Sequence, residues 1–540
     1  MSQFLHTQEL ALFYVSSGVE ANVPQMGGIM IQIKELTINH RKDLRVIIED
    51  FHCILQDGDK AVLIGEEGNG KSTLMKWLYD PKLVEDYAEC SGERILGKET
   101  LGYLPQQLPA EDREKTVYEY FSEEEAFFEK TPKELSKLAG DFQMSAECFY
   151  EDQRMGTLSG GERIKAQLMR ILLKNPTVLL LDEPSNDLDI ETLEVLEGVM
   201  KSWEHSLLFI SHDETLISRV ANKVIHFEQV MRKTKFRYAI AKTSYEEYLK
   251  NRTQAFEHQR KQAMMEKREK QLRDERFQRV YQKVAYQQEI CSRQSPAEAK
   301  NLKDKIHTLK SMERRFRKED ENMTTMPDYE EAIFFKLGKE PIPAGKVVLT
   351  YSLDRLVTPN GERILAKDIA LEVRGAAKVA IIGKNGCGKT TLLNKIAEEM
   401  LLRKDIHVAY MPQNYEEQLN LAQSPVEFLN VSGDKEERTR IRTYLGSLKY
   451  TAEEMEHPMG ELSGGQMAKV FLLKMSLSGA NVLLLDEPTR NFSPLSAPVI
   501  RQMVKTFPGA VISVSHDRKY LEEVCDTCYR LTGEGLEYVT

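Results

Sequence analysis

The chain has 540 residues, of which 41% are hydrophobic and 29% charged, and its formal net charge is −10. This length allows three or four domains with a core in each, and the acidic balance excludes a chain that is polycationic throughout. No apolar run approaches the roughly 18 residues of a transmembrane helix, and residues 1–29 lack the pattern of a secretory signal. With seven scattered cysteines, which suit a reducing compartment, these features predict a soluble cytoplasmic protein.

Two segments of the chain have the pattern of α/β domains. Residues 1–29 show no clear periodicity and are interpreted either as a disordered N-terminal extension or as the result of an assigned start that lies upstream of the true one. From Met30 the segment MIQIKELTI alternates as a strand does. Short apolar strands then alternate with helical segments over 30–240 and again over 326–540. This alternation predicts two α/β domains with mostly parallel sheets.

Residues 241–325 predict a helical hairpin that links these domains. Capping boxes at Ser244–Glu247 and Ser295–Glu298 begin two helices, which continue to about Arg293 and Lys318. Their lengths are roughly 70 and 35 Å, and the break of two or three residues between them makes them antiparallel. The expected packing stripes are Leu249, Phe256, Met264, Leu272, Phe277, Tyr281 and Val284 on the first helix, and Leu302, Ile306, Leu309 and Met312 on the second.

The hairpin is strongly basic. Residues 250–318 contain 20 Lys and Arg against nine Asp and Glu, a net charge of +11 that leaves −21 for the rest of the chain. A solvated spacer is one interpretation. Contact with nucleic-acid phosphates is the favoured one, because the rest of the chain is acidic. The candidate RNA contacts are Arg268, Lys270, Arg273, Arg276, Arg279, Lys283, Arg293, Lys300, Lys303 and Lys305.

A phosphate loop follows an apolar strand near the start of each α/β domain: GEEGNGKS at Gly65–Ser72 and GKNGCGKT at Gly383–Thr390. Glycines let backbone N–H groups converge on phosphate oxygens at a helix N-terminus. Lys71 and Lys389 are expected to reach the β- and γ-phosphates, and the hydroxyls of Ser72 and Thr390 to ligate Mg²⁺. The candidate ATP contacts are Gly65, Gly68, Gly70, Lys71, Ser72 and Thr73 in the first loop, and Gly383, Asn385, Gly386, Gly388, Lys389, Thr390 and Thr391 in the second.

Further motifs recur with a fixed offset of 304 residues, among them LSGGE and LSGGQ, two DEP segments and two SHD segments. Asp182 and Asp486 end buried strands and are candidate Mg²⁺ ligands. Glu183 and Glu487 are candidates for the base that activates water. His212 and His516 are candidate γ-phosphate sensors, and Gln106 and Gln413 candidate contacts to Mg²⁺ and water. The LSGG segments add Ser159, Gly160, Gly161, Ser463, Gly464 and Gly465 as candidate ATP contacts.

Over residues 30–540 these motifs resemble the ABC superfamily of ATPases. That resemblance implies two domains closing head to tail, so that Lys71 faces Ser463 and Gly465 while Lys389 faces Ser159 and Gly161. Two such domains in one chain, joined by a charged helical linker, resemble the ABC-F family. The family implies ATP and Mg²⁺ as cofactors and a monomer with intramolecular pairing. It also implies binding to the 70S ribosome near the exit site of the large subunit, with the hairpin directed to P-site tRNA, 23S rRNA and the peptidyl transferase centre.

Departures from the repeat bear on the branch of the family. Only 35 residues separate Lys71 from Gln106, too few for the arm that some housekeeping members insert. The segment TRNFSPLS resembles the antibiotic-resistance branch and places Ser493 where Asp189 stands in the first copy. We therefore expect unequal hydrolysis at the two sites. Glu67 stands where the second loop has Asn385.

The short hairpin tip, Cys291–Ser295, favours an indirect action through tRNA. Antibiotic resistance by ribosome protection is the favoured function. A housekeeping translation factor and, third, the ATPase subunit of a membrane transporter remain open.

Overall fold

The structure is a computed structural model that describes residues 29–42, 44–186, 188–230, 235–290, 296–327, 337, 341–358, 361, 363–415, 419–430 and 432–539. The N-terminal extension, Arg293 and the expected hairpin tip therefore lie outside the described residues, as do the side chains of the second capping box. The chain divides into two compact units, one formed by Met1–Tyr245 with Glu330–Thr540 and the other, called here the hairpin unit, by Glu246–Tyr329.

The first α/β domain is built on a six-stranded sheet of order β5-β6-β7-β3-β8-β9, parallel except for its last strand. A three-stranded antiparallel sheet, β2-β1-β4, accompanies it. The strands are β1 (Ile29–His40), β2 (Val46–Gln56), β3 (Lys60–Ile64), β4 (Ala88–Ile95), β5 (Leu101–Leu104), β6 (Val178–Asp182), β7 (Ser206–Ile210), β8 (Lys223–Val230) and β9 (Lys235–Ala241). The helices are α1 (Lys71–Tyr79), α2 (Ala110–Arg113), α3 (Val117–Ser122), α4 (Glu125–Glu129), α5 (Pro132–Asp141), α6 (Gly160–Leu173), α7 (Ile190–Ser202) and α8 (Glu214–Val220).

The second α/β domain repeats this plan. Its six-stranded sheet has the order β13-β14-β15-β12-β16-β17, and β10 and β11 form an antiparallel pair. The strands are β10 (Val347–Val357), β11 (Ile364–Arg374), β12 (Lys378–Ile382), β13 (Val408–Met411), β14 (Val482–Asp486), β15 (Ala510–Val514), β16 (Thr527–Thr532) and β17 (Gly535–Val539). The helices are α11 (Lys389–Met400), α12 (Pro425–Leu429), α13 (Lys435–Ser447), α14 (Ala452–Glu456), α15 (Gly464–Leu477), α16 (Ala497–Lys505) and α17 (Arg518–Val524).

The central strands explain where the functional motifs lie. Both β6 and β14 read VLLLD and are buried at every position, as expected for parallel strands covered on both faces. Because β3, β6 and β7 run parallel, their carboxyl ends meet at one edge of the sheet, where ligands bind in open α/β folds. The same holds for β12, β14 and β15. The predicted fold, two α/β domains with mostly parallel sheets, is confirmed.

The hairpin unit consists of two helices, α9 (Tyr245–Ile290) and α10 (Pro296–Glu321), and the prediction of two long helices is confirmed. Arg273 pairs with Asp320 at 2.6 Å, and its guanidinium lies 4.4 Å from the ring centroid of Phe316. Near the open end, Glu266 accepts hydrogen bonds from the backbone and hydroxyl of Thr324. These contacts fix the register of the two helices.

The expected packing stripes of the hairpin are only partly correct. Val284 and Leu309 are buried, whereas Met264, Leu272, Tyr281 and Met312 are exposed. A helix that packs against a single partner helix buries only a narrow line of side chains. An apolar stripe of the usual width therefore predicts more buried residues than such a helix has. Among the described residues, no helix combines the length and apolarity needed to cross a bilayer.

Candidate nucleotide-binding sites

Both phosphate loops connect a buried strand to a helix, β3 to α1 and β12 to α11. Gly70 and Gly388 are the N-caps of these helices and have left-handed φ angles of 83° and 103°. Lys71 Nζ donates to the carbonyls of Gly65 and Glu66 at 2.8 and 2.9 Å, and Lys389 Nζ donates to the equivalent carbonyls, both at 2.9 Å. Each phosphate loop therefore encloses the ammonium group of its lysine, Lys71 or Lys389.

The LSGG segments form capped helix N-termini. Ser159 Oγ accepts from the backbone of Glu162 at 3.3 Å, and the Glu162 carboxylate accepts from the backbone of Ser159 at 3.0 Å. Ser463 and Gln466 make the same pair of bonds at the start of α15. The serine thereby sets the first turn, in which Gly160, Gly161, Gly464 and Gly465 carry N–H groups without partners inside the helix.

The first phosphate loop contacts the second LSGG segment, and these elements together are called the first composite site. Glu67 Oε2 accepts from the backbone nitrogen of Gly465 at 2.7 Å. A Cβ on Gly465 would lie 2.6 Å from the Asn491 carbonyl, so only glycine permits this approach. The Glu67 carboxylate therefore points at the opposite domain.

Glu66 makes a second connection across the first composite site. Its carboxylate pairs with Lys469 at 3.1 Å and accepts from the hydroxyls of Ser496 and Ser493 at 2.6 and 3.3 Å. Burial raises the pKa of Glu66, but Lys469 and the Ser496 hydroxyl outweigh this effect and hold it below its usual value. Ser493 therefore faces a carboxylate of the phosphate loop.

The second composite site combines the second phosphate loop with the first LSGG segment. A cavity of about 550 Å³ lies between them, within the usual size of a small-molecule site. The Asp189 carboxylate accepts from the backbone of Asn385 at 3.4 Å, and Lys384 pairs with Glu191 at 3.2 Å. Candidate residues that line the cavity are Gly160, Asn385, Gly386, Gly388, Lys389, Thr390, Thr391, Gln413, Asp486, Glu487, His212 and His516.

Asp182 and Asp486 have the surroundings of cation ligands. Both are almost fully buried, and burial raises the pKa of each to about 6. Ser72 Oγ donates to Asp182 Oδ1 at 2.9 Å. The other oxygen of Asp182 and both oxygens of Asp486 have no hydrogen-bond partner among the described residues. Buried oxygens of this kind fit Mg²⁺, which takes carboxylate and hydroxyl ligands.

The next residue in each strand end, Glu183 or Glu487, has a strained backbone with φ of 52° or 51°. A left-handed non-glycine residue costs of order 1–3 kcal/mol and is common at functional sites. Glu183 accepts from Gln106 Nε2 at 2.9 Å, and its Oε1 lies 3.3 Å from His212 Nε2. Burial raises the pKa of Glu183, but the hydrogen bond and charge of His212 lower it to about 2.

His212 also reaches the opposite domain. Its Nδ1 donates to the backbone carbonyl of Phe492 at 2.7 Å. With Nδ1 donating and Nε2 facing a carboxylate, the ring is best described as a doubly protonated imidazolium. Burial lowers the pKa of His212, but the bond to Glu183 outweighs it and the net shift is upward.

The equivalent pair in the second domain is different. The Glu487 carboxylate accepts from the backbone of His516 at 3.2 Å, and its Oε1 lies 3.7 Å from His516 Nε2. Burial and the adjacent Asp486 raise the pKa of Glu487 to about 8, while burial and Lys389 lower the pKa of His516 to about 4. Near neutral pH, Glu183 is therefore ionised and Glu487 protonated, so the two composite sites differ in the charge of this carboxyl group.

Several residues of these sites were not predicted from the sequence. Arg163 lines the cavity, and Glu66 and Lys469 join the domains at the first composite site. A signal for Glu66 was present, since the second phosphate loop has Lys384 at the same place. The remaining candidates stand in the elements already described: Gly68 in the first phosphate loop and Thr73 in the first turn of α1.

The chain is similar to known proteins over most of its length. The profile of the family described as ABC transporter matches residues 48–186 and 366–490. The ATP-binding protein Uup of Escherichia coli K12 is 27% identical over 537 residues, covering 91% of this chain and 78% of Uup. The ribosome protection protein VmlR of Bacillus subtilis 168 is 28% identical over 522 residues, covering 94% and 88%.

Solved structures share the fold. The archaeal ribosome recycling factor aABCE1, in complex with stalk protein aP1, aligns with a TM-score of 0.56 at 17% identity, covering 93% of this chain and 89% of that one. A structure titled RNase-L Inhibitor aligns with a TM-score of 0.54 at 17% identity, covering 94% and 90%.

Two phosphate loops, each set against the LSGG segment of the other domain, define an ATPase of the ATP-binding cassette class that uses ATP with Mg²⁺. Relatives such as Uup and VmlR span both domains and the segment between them. The chain is similar to Uup and VmlR over more than 90% of its length, and with them it resembles the ABC-F family.

Proposed function

We propose that this ATPase binds the ribosome and protects it from antibiotics that target the large subunit. The observation that carries the proposal is the basic hairpin unit placed between two ATPase domains, since phosphate contacts dominate protein affinity for nucleic acid. The relative named as a ribosome protection protein, VmlR, covers 94% of the chain and supports the same assignment. The proposed partners are the 70S ribosome at its exit-site region, P-site tRNA and 23S rRNA.

At the nucleotide sites, Lys71 and Lys389 bind the β- and γ-phosphates, and Glu183 and Glu487 orient the attacking water and accept its proton. The pairs Ser72 with Asp182 and Thr390 with Asp486, with Gln106 and Gln413 nearby, would hold Mg²⁺. The ion supplies charge neutralisation of the phosphates. His212 and His516 hold the glutamates in place. The unlike ionisation of the two Glu–His pairs is our basis for proposing unequal hydrolysis.

One loop offers a route from the first composite site to the start of the hairpin helix. His212 contacts the carbonyl of Phe492, and Ser493 and Ser496 contact Glu66. The fully buried Tyr245, the first residue of α9, donates its hydroxyl to the carbonyl of Pro494 at 3.2 Å. A shift of this loop during ATP turnover would therefore move the carbonyl group to which the Tyr245 hydroxyl is bonded.

Two of the predicted RNA contacts on the hairpin unit are instead engaged in ion pairs between its helices. Lys270 and Arg273 pair with Asp320 at 2.8 and 2.6 Å, so we now assign them to holding the helices together. The candidates that are exposed are Arg268, Arg276, Arg279, Lys283, Lys300, Lys303 and Lys305. These remain the proposed RNA contacts.

A housekeeping translation factor is the second candidate. The chain is 28% identical to VmlR, which is named for ribosome protection, and 27% identical to Uup, which is named only as an ATP-binding protein, so overall similarity does not decide between the two roles. An ATPase subunit of a membrane transporter is the third, and it would leave the basic hairpin without a use.

The test is expression of the chain in a drug-sensitive strain challenged with lincosamides, pleuromutilins, streptogramins, macrolides and phenicols. We expect resistance to at least one class, lost in a Lys389→Ala variant produced at the same level. Normal susceptibility to all classes, with co-sedimentation on 70S particles, would select the housekeeping role. Sedimentation with membranes, or no ribosome binding with ATP present, would reject both ribosomal roles.

A further inference from the structure

Away from the nucleotide sites, the two domains meet through buried ion pairs. Arg501, on α16, donates from Nη1 and Nη2 to the two carboxylate oxygens of Glu214, on α8, at 2.6 and 3.3 Å. Both side chains are only 3% exposed. Arg518, on α17, pairs with Glu197, on α7, at 3.0 Å. In both pairs the acid belongs to the first domain and the base to the second.

The two ion pairs occupy equivalent positions in the repeat, with the acidic and basic residues exchanged. The offset of 304 residues that relates the motifs also relates Glu197 to Arg501 and Glu214 to Arg518. Under this pseudo-symmetry, the α7 position of one domain meets the α8 position of the other, twice. The first domain presents Glu at both positions and the second presents Arg at both.

A third position carries the same reversal. Arg219 and Glu523 are also 304 residues apart. Arg219 pairs with Glu197 at 3.1 Å inside the first domain, and Glu523 pairs with Arg501 at 2.8 Å inside the second. The reversal therefore extends to the residue that pairs with Glu197 or with Arg501 inside its own domain.

Neighbouring charges add to this pattern without reversing it. Lys519 pairs with Glu214 at 3.2 Å, and Arg518 pairs with Asp213 at 3.2 Å. Asp517, the equivalent of Asp213, lies 3.9 Å from Arg501. Arg501 and Arg518 therefore each meet more than one carboxylate.

We propose that these positions form a charge code that makes each domain accept only the unlike domain as its partner. Pairing of two first domains would set Glu197 against Glu214, and pairing of two second domains would set Arg501 against Arg518, in a region where water cannot screen them. An unpaired buried charge disfavours an interface strongly, and specificity commonly rests on such repulsion. The linker then favours the unlike domain of the same chain, by effective concentration.

The test uses full-length chains with reversed charge. An all-basic variant carries E197R, E214R and R219E, and an all-acidic variant carries R501E, R518E and E523R. The matched control carries all six substitutions and restores opposite charges with exchanged sides. We expect ATPase activity to fall at least tenfold in each triple variant and to return to within about threefold of wild type in the six-fold variant.

Mixing the two triple variants supplies a second measurement. Each domain of the all-basic chain then finds an acidic partner only in the other chain, so ATPase activity should return together with a species of twice the chain mass in size-exclusion chromatography with light scattering. Wild-type activity in either triple variant would overturn the proposal. So would a six-fold variant no better than the triples while the mixture stays inactive, because lost folding rather than mismatched pairing would then explain all the variants.

Discussion

Glu67 and Gly465, 398 residues apart in the chain, are joined by a hydrogen bond of 2.7 Å from the backbone nitrogen of Gly465 to the Glu67 carboxylate. The first phosphate loop thus presents an anion to the helix N-terminus that would otherwise be available to a phosphate group. The equivalent residue of the second loop, Asn385, is neutral. The two phosphate loops thus differ in charge at this position, although Lys71 and Lys389 make equivalent hydrogen bonds.

Replacing Glu67 with Asn, which copies the second loop, should strengthen ATP binding at the first composite site. Removal of a like charge from the phosphate environment is expected to improve affinity by about tenfold, or about 1.4 kcal/mol. Binding of a fluorescent ATP analogue to chains that also carry Lys389→Ala would isolate the first site. The reciprocal change, Asn385→Glu in a Lys71→Ala background, should weaken the second site. Equal affinities in all four chains would contradict this role for Glu67.

Replacing Glu183 and Glu487 together with Gln should trap the ATP-bound state on ribosomes. The amide keeps the size of the side chain but cannot accept a proton, so we expect turnover to fall by about 10²–10⁴-fold while ATP binding persists. Phosphate release and 70S co-sedimentation in ATP measure the two effects. Glu204→Gln, at an exposed glutamate, is the matched control. Normal hydrolysis in the double variant would remove both residues from catalysis.

The two sites should differ in their dependence on pH. The pKa of Glu487 is raised to about 8, so this carboxyl is protonated below that pH and becomes a base only above it. The pKa of Glu183 is lowered to about 2, so it is ionised throughout the working range. In a Glu183→Gln chain, kcat/KM for ATP, which reports groups of the free enzyme, should rise with pH and level off above about 8.

The Glu487→Gln chain is the control for that experiment. It retains only Glu183, whose carboxyl group is ionised throughout this range. Its kcat/KM should therefore change little between pH 6 and 9. A rise of the same size in both chains would assign the titration to another group. A flat profile in the Glu183→Gln chain would show that Glu487 does not act as the base.

Ribosome binding should depend on salt through the exposed face of the hairpin unit. Each lost phosphate contact flattens the slope of log affinity against log salt by about one unit. We therefore expect R276Q/R279Q/K300Q/K303Q to weaken binding and reduce the slope. Its ATPase activity without ribosomes should stay close to wild type. The control K42Q/K98Q/K133Q/K137Q removes four exposed lysines of the first domain; an equal change there would mean that net charge alone matters.

The fold and the places of most candidate site residues within it were predictable because each depends on a short motif next to an apolar strand. Lys71, Asp182 and Glu183 fall where the parallel strands end, and the structure adds only their distances. The hairpin helices were predictable for a similar reason, since capping boxes and an uninterrupted helical pattern are local. The exposure of Met264 was not, because it depends on how many partners a helix has.

The contacts between the domains depend on a different kind of information. The reversal between Glu197 and Arg501 is visible in the sequence once the offset is applied, but nothing in the sequence shows that this position meets Glu214 and Arg518. Likewise, two adjacent carboxylates in a phosphate loop do not reveal that Glu66 meets Lys469. Such contacts join residues about 300 to 400 positions apart and follow from the docking of two finished domains.

The reversed charges at the domain interface also have a consequence during synthesis. On a polysome, many copies of the chain emerge side by side, and each has completed its first domain long before its second is translated. Those waiting domains carry Glu197 and Glu214 at their interface positions, so neighbouring nascent chains repel one another there instead of forming a stable wrong dimer. Misassembly between chains is a common failure of proteins with repeated domains. In this protein, the repulsion between like domains is present as soon as the first domain has been made.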